Sequence, residues 1–144
     1  MDVDRTEMIR VNRQINIQLE RAATQTIAQK GLTGIQGHLL LCILAHSDKG
    51  MSLTDIHQEF GYSMAALSGL VKRLREKGYV RVEPCAQDDR RKLLFGTGKG
   101  EEVREFLDRS ILRAQDQLYQ GFSQEELATL DRLQKKMLKN LSAW

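Results

Sequence analysis

The chain has 144 residues, of which 41% are hydrophobic and 28% are charged, and this size and composition predict one soluble domain. No apolar run approaches the roughly 20 residues needed to cross a bilayer, and the start MDVDRTEMIR lacks a secretory signal pattern, so we expect a cytoplasmic protein with no membrane partner. The formal net charge is only +3. Residues 63–92 nevertheless carry eight basic and four acidic side chains, so the positive charge is concentrated in one segment.

The first two predicted elements are helices. Apolar residues recur every three or four positions over residues 4–29, which predicts a long amphipathic helix that ends at Gly31. Thr33 and Gln36 then form a T-x-x-Q capping box ahead of the segment HLLLCILAH. Because this segment is apolar on all sides, residues 34–46 are predicted to form a buried central helix.

A short helix, a tight turn and a second helix follow. Ser52 begins a capping signature for a helix that runs to about Phe60, and Gly61 separates this helix from Ser63, the predicted N-cap of a helix over residues 63–77. This arrangement is typical of the helix-turn-helix motif, whose second helix enters the DNA major groove. The apolar residues predicted to share the inner face of the second helix are Met64, Leu67, Leu70, Val71 and Leu74.

A hairpin is predicted next, because the pattern changes to YVRVE and later RKLLF, two short strands around a charged loop. The loop is predicted to contain Pro84, Asp88 and Asp89. An acidic side chain beside Arg90 or Arg91 would hold the arginine extended, and an extended arginine can enter a minor groove. We therefore interpret the hairpin as the wing of a winged helix.

Two helices complete the chain. Thr97 caps a long helix that runs to about Tyr119, and Ser123 opens an S-x-x-E box for the last helix. The helices at both ends carry apolar stripes that so small a domain cannot cover alone, which predicts a two-fold homodimer. The predicted organisation is one domain over residues 1–144, with dimerisation helices in 1–31 and 99–144 and a winged-helix DNA-binding lobe in 33–97.

The second helix of the motif and the wing supply the predicted DNA contacts. Ala65 and Ala66 could touch thymine methyl groups, Ser68 could hydrogen-bond, and Lys72 and Arg73 could reach phosphates or guanine. An alternative is that the small residues mark a close crossing of two helices and that the basic residues form an ordinary solvated face. The predicted DNA-binding residues are Ser63, Ala65, Ala66, Ser68, Gly69, Lys72, Arg73, Asp88, Arg90 and Arg91.

In their order and spacing, these segments resemble the MarR family of winged-helix regulators over essentially the whole chain. LTGIQGHLLLCIL resembles the family's L-T-x-x-Q segment, SLTDIHQEFGYSMAALSGLVKRLREKGYV its helix-turn-helix, and FSQEELATLDRLQKKMLKNL its last helix. Asp88 and Arg90 resemble its D-x-R wing signature, at the family's distance from Thr97. Two departures are Gly96, where the family has leucine, and Gly69, where it often has a longer polar side chain.

The resemblance implies a mainly α (α+β) fold and a sequence-specific regulator of transcription that binds a palindromic or near-palindromic duplex. In that family Arg90 would probe the minor groove while Asp88 orients it, and the terminal helices would pair two subunits. A repressor released by a small aromatic or phenolic ligand, bound between the two lobes, is also implied, although no ligand-binding residue can be named. The residues implied to face the major groove are Ser63, Ala66, Ser68, Lys72 and Arg73.

Other functions have less support in the sequence. There is no glycine-rich phosphate loop and no GxSxG elbow, so neither an enzyme nor a cofactor is predicted. His38, His46 and His57 lack the spacing of a zinc site, so no metal is predicted. Cys42 lies in an apolar stretch, which favours a structural role, whereas Cys85 lies in the wing beside basic residues, where thiolate is favoured. A redox-responsive regulator using Cys85 and a winged-helix protein-interaction adaptor are therefore the alternatives.

Overall fold

The structure is a computed structural model that describes residues 2–142. Over this range the chain forms six α-helices and one two-stranded antiparallel hairpin, which lies between the fourth and fifth helices in the sequence. This confirms the predicted mainly α (α+β) winged-helix fold. One turn of 3-10 helix, Ala28–Lys30, extends the first helix to Gly31. The elements are α1 (Arg5–Ile27), α2 (Gly34–Ala45), α3 (Leu53–Phe60), α4 (Met64–Glu76), β1 (Val80–Cys85), β2 (Asp88–Gly96), α5 (Gly98–Leu118) and α6 (Gln124–Leu141).

The helices begin where the sequence offers a side-chain acceptor for their free backbone N–H groups. Complete capping boxes, with both reciprocal hydrogen bonds, are present at the starts of α2, α3 and α6. At α2, for example, Thr33 Oγ1 accepts from the Gln36 N–H at 3.2 Å while Gln36 Oε1 accepts from the Thr33 N–H at 3.1 Å. The predicted helix starts are confirmed for this physical reason.

The core is built around α2, which packs against α1, α5, α4 and β2. Leu39, Leu40, Ile43 and Leu44 of α2 are all buried, as expected for a helix that is apolar all round. The inner face of α4 packs on this core through Leu67, Val71 and Leu74, which are buried, and Leu70, which is partly buried. Met64 was predicted on the same face but is 43% exposed, because it lies in the first turn of α4, away from the buried part of the helix.

The hairpin is tighter than predicted. Its two strands pair from Val80–Gly96 to Cys85–Asp88, and the two residues between them, Ala86 and Gln87, form the turn. The prediction that Pro84, Asp88 and Asp89 lie in the loop was wrong, since all three belong to strands. The register shifts between Pro84, which pairs with Lys92, and Cys85, which pairs with Asp88, so Asp89, Arg90 and Arg91 form a bulge with no partner on β1.

A backbone bridge joins the hairpin to the segment before α3. Met51 and Leu94 exchange two hydrogen bonds, with the Met51 N–H donating at 3.2 Å and the Leu94 N–H donating at 2.7 Å. Both residues are buried. The wing is therefore anchored on two elements, on α5 through the chain and on the helix-turn-helix motif through this bridge.

Two glycines permit close packing where the hairpin joins α5. A Cβ atom on Gly96 would overlap Cδ2 of Leu44, and one on Gly100 would lie 2.6 Å from the carbonyl oxygen of Tyr79. The side chain of Leu44 thus fills the space beside Gly96 and leaves no room for a Cβ atom at this position.

The terminal helices leave apolar side chains in solvent. No residue of α6 is buried, and the exposed apolar residues of α1 and α6 include Ile9, Ile17, Leu138 and Leu141. Within residues 2–142, no helix is both long enough and apolar enough to span a membrane.

Candidate nucleic-acid interface

The outer face of α4 is free of packing contacts. Ser63 caps this helix, with its Oγ accepting from the Ala66 N–H at 3.1 Å, and the burial of the inner face turns the opposite side outward. A Cβ atom added to Gly69 would meet no heavy atom within 4 Å. The alternative in which the small residues mark a helix crossing is therefore excluded at Gly69. The residues on this outward side are Ala65, Ala66, Ser68, Lys72 and Arg73, all exposed, and Gly69, which is partly exposed.

The turn between α3 and α4 is fixed by Gly61, as the sequence predicted, and by two side-chain contacts that the sequence did not suggest. Gly61 ends α3 in the left-handed region with φ of 78°. Nδ1 of His57 is hydrogen-bonded to the carbonyl oxygen of Tyr62, and the rings of Phe60 and Tyr62 stack with centroids 6.2 Å apart. These contacts tie the end of α3 to the turn that leads into α4.

Asp88 and Arg90 of the wing are brought together as the resemblance implied. Asp88 Oδ1 accepts from the Arg90 backbone N–H at 3.0 Å and lies 3.5 Å from Arg90 Nε. The Arg90 side chain is nevertheless 94% exposed. The carboxylate therefore restrains the base of the arginine while its guanidinium extends into solvent.

Arg91 lies in a different environment from its neighbour. Its Nη2 donates to Asp55 Oδ2 at 3.0 Å and to Ser52 Oγ at 3.4 Å, so its guanidinium is bound to the start of α3. The Ser52 N–H bond to the Asp55 carboxylate, with further help from Ser52 Oγ and Arg91, lowers the pKa of Asp55 below its ordinary value of 3.8. A contact between Arg91 and DNA stays a prediction and would require this ion pair to open.

Two more basic residues of the charged segment are used inside the protein. Lys77 Nζ donates to the carbonyl oxygen of Gly31 and to Gln36 Oε1, which ties the end of α4 to the corner between α1 and α2. Arg81 pairs with Glu83 and lies 4.7 Å from the Phe95 ring centroid. The basic residues of segment 63–92 that remain available for DNA therefore lie on α4 and in the wing. They include the exposed residues Lys72, Arg73, Arg75, Arg90 and Lys92.

The cysteines and histidines do not form a metal centre. Among the described residues, no group of three histidine, cysteine or acidic side chains could hold a metal ion. Cys42 is half-buried with Sγ 3.6 Å from Glu59 Oε2, and burial together with the Glu59 charge raises its pKa to about 12. Cys85 is free and half-buried at the end of β1. A redox role for Cys85 stays a prediction.

A cleft of about 690 Å³ lies between α1 and the helix-turn-helix motif. Its apolar wall includes Leu67 and Leu70 of α4, and its polar lining includes Arg13, Glu20 and His38. Burial lowers the pKa of His38 against the opposing effect of the Glu20 charge. The cleft therefore offers a largely neutral imidazole, one guanidinium and one carboxylate beside an apolar surface.

Comparisons with known proteins agree with this architecture. A family model described as the MarR family matches residues 30–91. The transcriptional activatory protein BadR of Rhodopseudomonas palustris is 31% identical over 97 residues, which cover 67% of this chain but only 55% of BadR.

Solved structures extend the likeness to nearly the whole chain. The crystal structure of the transcriptional regulator SlyA superposes with a TM-score of 0.87 at 22% identity, covering 94% of each chain. A crystal structure of the S. aureus MepR–DNA complex superposes with a TM-score of 0.84 at 27% identity, covering 91% of this chain and 94% of that one. The family model thus assigns residues 30–91 to the MarR family, and the superpositions show that nearly the whole chain has the winged helix-turn-helix fold of these proteins.

Proposed function

We propose that this protein is a transcription regulator that binds duplex DNA in a sequence-specific manner as a homodimer. The observation that carries the proposal is the free outer face of α4, with its small and basic side chains, beside a wing arginine that is 94% exposed. Small side chains permit close approach to base edges, and exposed cations neutralise phosphates. The crystal structure of MepR with DNA supports the same use of this fold. Since the proposed partner is duplex DNA, the proposed location is the cytoplasm.

The proposed contacts divide between the two grooves. Ser63, Ala66, Ser68, Lys72 and Arg73 would face the major groove. Arg90, held at its base by Asp88, would enter the minor groove, where the negative potential is enhanced in narrow A·T-rich segments. Ala65 and Gly69 would contribute by letting the backbone approach the DNA.

The homodimer is supported by the terminal helices. Helices in proteins are stabilised mainly by the packing of an apolar face, yet none of the 18 residues of α6 is buried. Pairing the terminal segments 1–31 and 99–144 of two copies would cover these apolar faces and place two DNA-binding lobes, each formed by residues 33–97, about a two-fold axis. Half-sites about one helical turn apart, and hence a palindromic or near-palindromic operator, follow from that symmetry.

We also propose that a small aromatic or phenolic ligand releases the DNA, which would make the protein a repressor. The cleft between α1 and the helix-turn-helix motif is the candidate site, since its volume of about 690 Å³ is in the range of small-molecule pockets. Leu67 and Leu70 contribute to its wall and belong to α4. A ligand that needs more room than the DNA-bound form allows would shift the population away from that form.

The proposal is tested by selecting bound sequences from random duplexes and then measuring affinity for the selected site against salt. Each neutralised phosphate contributes a slope of about −0.9 in log affinity against log salt. The variant Arg90→Ala should weaken binding by roughly 5- to 150-fold, if the arginine contributes about 1–3 kcal/mol, as a specific arginine–base contact does. Arg109→Ala, which removes an equal charge from α5 outside the DNA-binding lobe, is the matched control; once sedimentation has verified that it is still dimeric, it should bind as the parent does.

Weak, salt-independent binding that Arg90→Ala does not change would contradict this function. That result would instead favour a protein-interaction adaptor built on the same fold.

A further inference from the structure

The wing and the helix-turn-helix motif are joined by a side-chain contact that the DNA-binding proposal does not use. Arg91 on β2 reaches across to Asp55 and Ser52 at the start of α3. We propose that this contact is a latch that sets the position of the wing relative to α4, so that Arg91 and Asp55 are positioning residues for DNA binding. This inference rests on the proposed function, because it concerns how the two DNA-contacting parts are held in register.

The latch acts on a rigid part of α3. Asp55 Oδ2 accepts from the Ser52 N–H at 3.0 Å and from Arg91 Nη2 at the same distance. Ser52, whose Oγ caps α3, is only 4% exposed. The arginine therefore binds the capping box itself, a group whose geometry is fixed by the helix start, and not a freely rotating surface carboxylate.

The same contact restrains the segment of β2 that carries Arg90. Arg90 and Arg91 are neighbours in the part of β2 that has no pairing partner on β1, so anchoring Arg91 on α3 restrains the backbone that also carries Arg90. Arg90 itself has only Asp88, on its own strand, as a hydrogen-bond partner among the described residues. The position of its guanidinium relative to α4 therefore depends on the backbone of β2, which is held by the Met51–Leu94 bridge and by the latch.

An ion pair this exposed contributes little to folding stability. Its effect is expected in binding, because a wing that moves independently of α4 must be ordered when both contact one duplex, and that ordering weakens affinity. We expect breaking the latch to lower affinity about three- to tenfold, the range that ordering one or two side chains produces.

Asp55→Asn distinguishes the latch from a direct contact between Arg91 and phosphate. The asparagine Oδ1 can still accept from the Ser52 N–H and preserve the cap, but it loses the charge that holds Arg91. If Arg91 bound phosphate, removing a negative charge and freeing the arginine would raise affinity. The latch predicts the opposite sign, a three- to tenfold loss of affinity.

A double-mutant cycle with Arg91→Gln completes the test. The latch predicts that Asp55→Asn, Arg91→Gln and the double variant lose affinity by the same factor, because each breaks one shared contact. It also predicts that Arg91→Gln leaves the salt slope unchanged, whereas losing a phosphate contact would reduce it by about 0.9. Circular dichroism and thermal melting of each variant verify that the fold is retained.

The parent and Arg90→Ala are measured in the same series, so that the two proposals can fail separately. If the parent does not bind duplex DNA, the proposed function is wrong and the latch with it. If the parent binds and Arg90→Ala weakens it, but Asp55→Asn binds as tightly as the parent or more tightly, the latch alone is overturned.

Discussion

The two cysteines differ in how much their surroundings suppress ionisation. Cys42 lies on α2 with Met51 Sδ at 3.6 Å and Glu59 Oε2 at the same distance. Burial removes the solvation that a thiolate needs, and the Glu59 carboxylate repels the negative charge. Both effects raise the pKa of Cys42, to about 12, so this thiol stays protonated at neutral pH.

We therefore expect Cys42 to be inert toward alkylation. In a Cys85→Ser variant, iodoacetamide at pH 8 should label the remaining thiol at least about a hundredfold more slowly than it labels free cysteine, because only the thiolate reacts. Intact-protein mass spectrometry measures the rate. Labelling that stays slow in denaturant, where Cys42 regains an ordinary pKa, would contradict this explanation.

The sequence predicted the site residues of α4 better than those of the wing. On a helix, the 3.6-residue period assigns each side chain to a face once the apolar face is known, which placed Ala65, Ser68 and Lys72 on the outside. The partner of Arg91 lies 36 residues earlier in the chain. That pairing depends on the register of the hairpin and on the Met51–Leu94 bridge, neither of which composition or spacing reveals.

Among the elements, helix starts were predicted well and the hairpin less well. A helix start depends on a few adjacent residues that form a cap, so local sequence is sufficient. The turn was predicted to contain Pro84, Asp88 and Asp89, which are typical turn residues. Here β1 and β2 pair as far as Cys85–Asp88, with residues 89–91 of β2 left as a bulge, so Pro84 and Asp88 lie within the paired strands and the turn is reduced to Ala86 and Gln87.

Two glycine-to-alanine variants test how the elements pack. At Gly96 an added Cβ would overlap the buried Leu44 side chain, so Gly96→Ala should lower the free energy of unfolding by about 1–3 kcal/mol. At Gly69 there is open space, so Gly69→Ala should raise it by about 0.5–1 kcal/mol, since alanine favours the helix. Urea denaturation measures both, and effects of the same sign would contradict the packing described for these two positions.

At the scale of the whole molecule, burial is concentrated in the winged-helix lobe and in the parts of α1 and α5 that pack on α2. The 18-residue α6 contributes nothing buried, although its start is fully capped. Leu138 on this helix is 66% exposed, an arrangement that favours a second copy as its packing partner.

Leu138→Asp should therefore weaken the homodimer. Burying an unpaired carboxylate in an apolar contact costs several kcal/mol, so we expect the dimer dissociation constant to rise by about a hundredfold or more. Sedimentation over a dilution series measures it. Asn140→Asp adds the same charge two residues further along α6 and should have a smaller effect. Equal behaviour of the two variants would argue that Leu138 lies outside the interface.

Because the apolar surface of α6 needs a second copy to cover it, formation of the homodimer depends on the protein concentration. When two copies pair through this surface, the free energy of dimer formation changes by about 1.4 kcal/mol for every tenfold change in protein concentration. While most chains are single, the number of dimers rises with the square of the number of chains, and occupancy of a two-fold DNA site rises with it. Doubling expression would then increase that occupancy about fourfold. Gene dosage and dilution by cell growth would therefore change transcription, because both change the fraction of chains in which α6 is covered by a second copy.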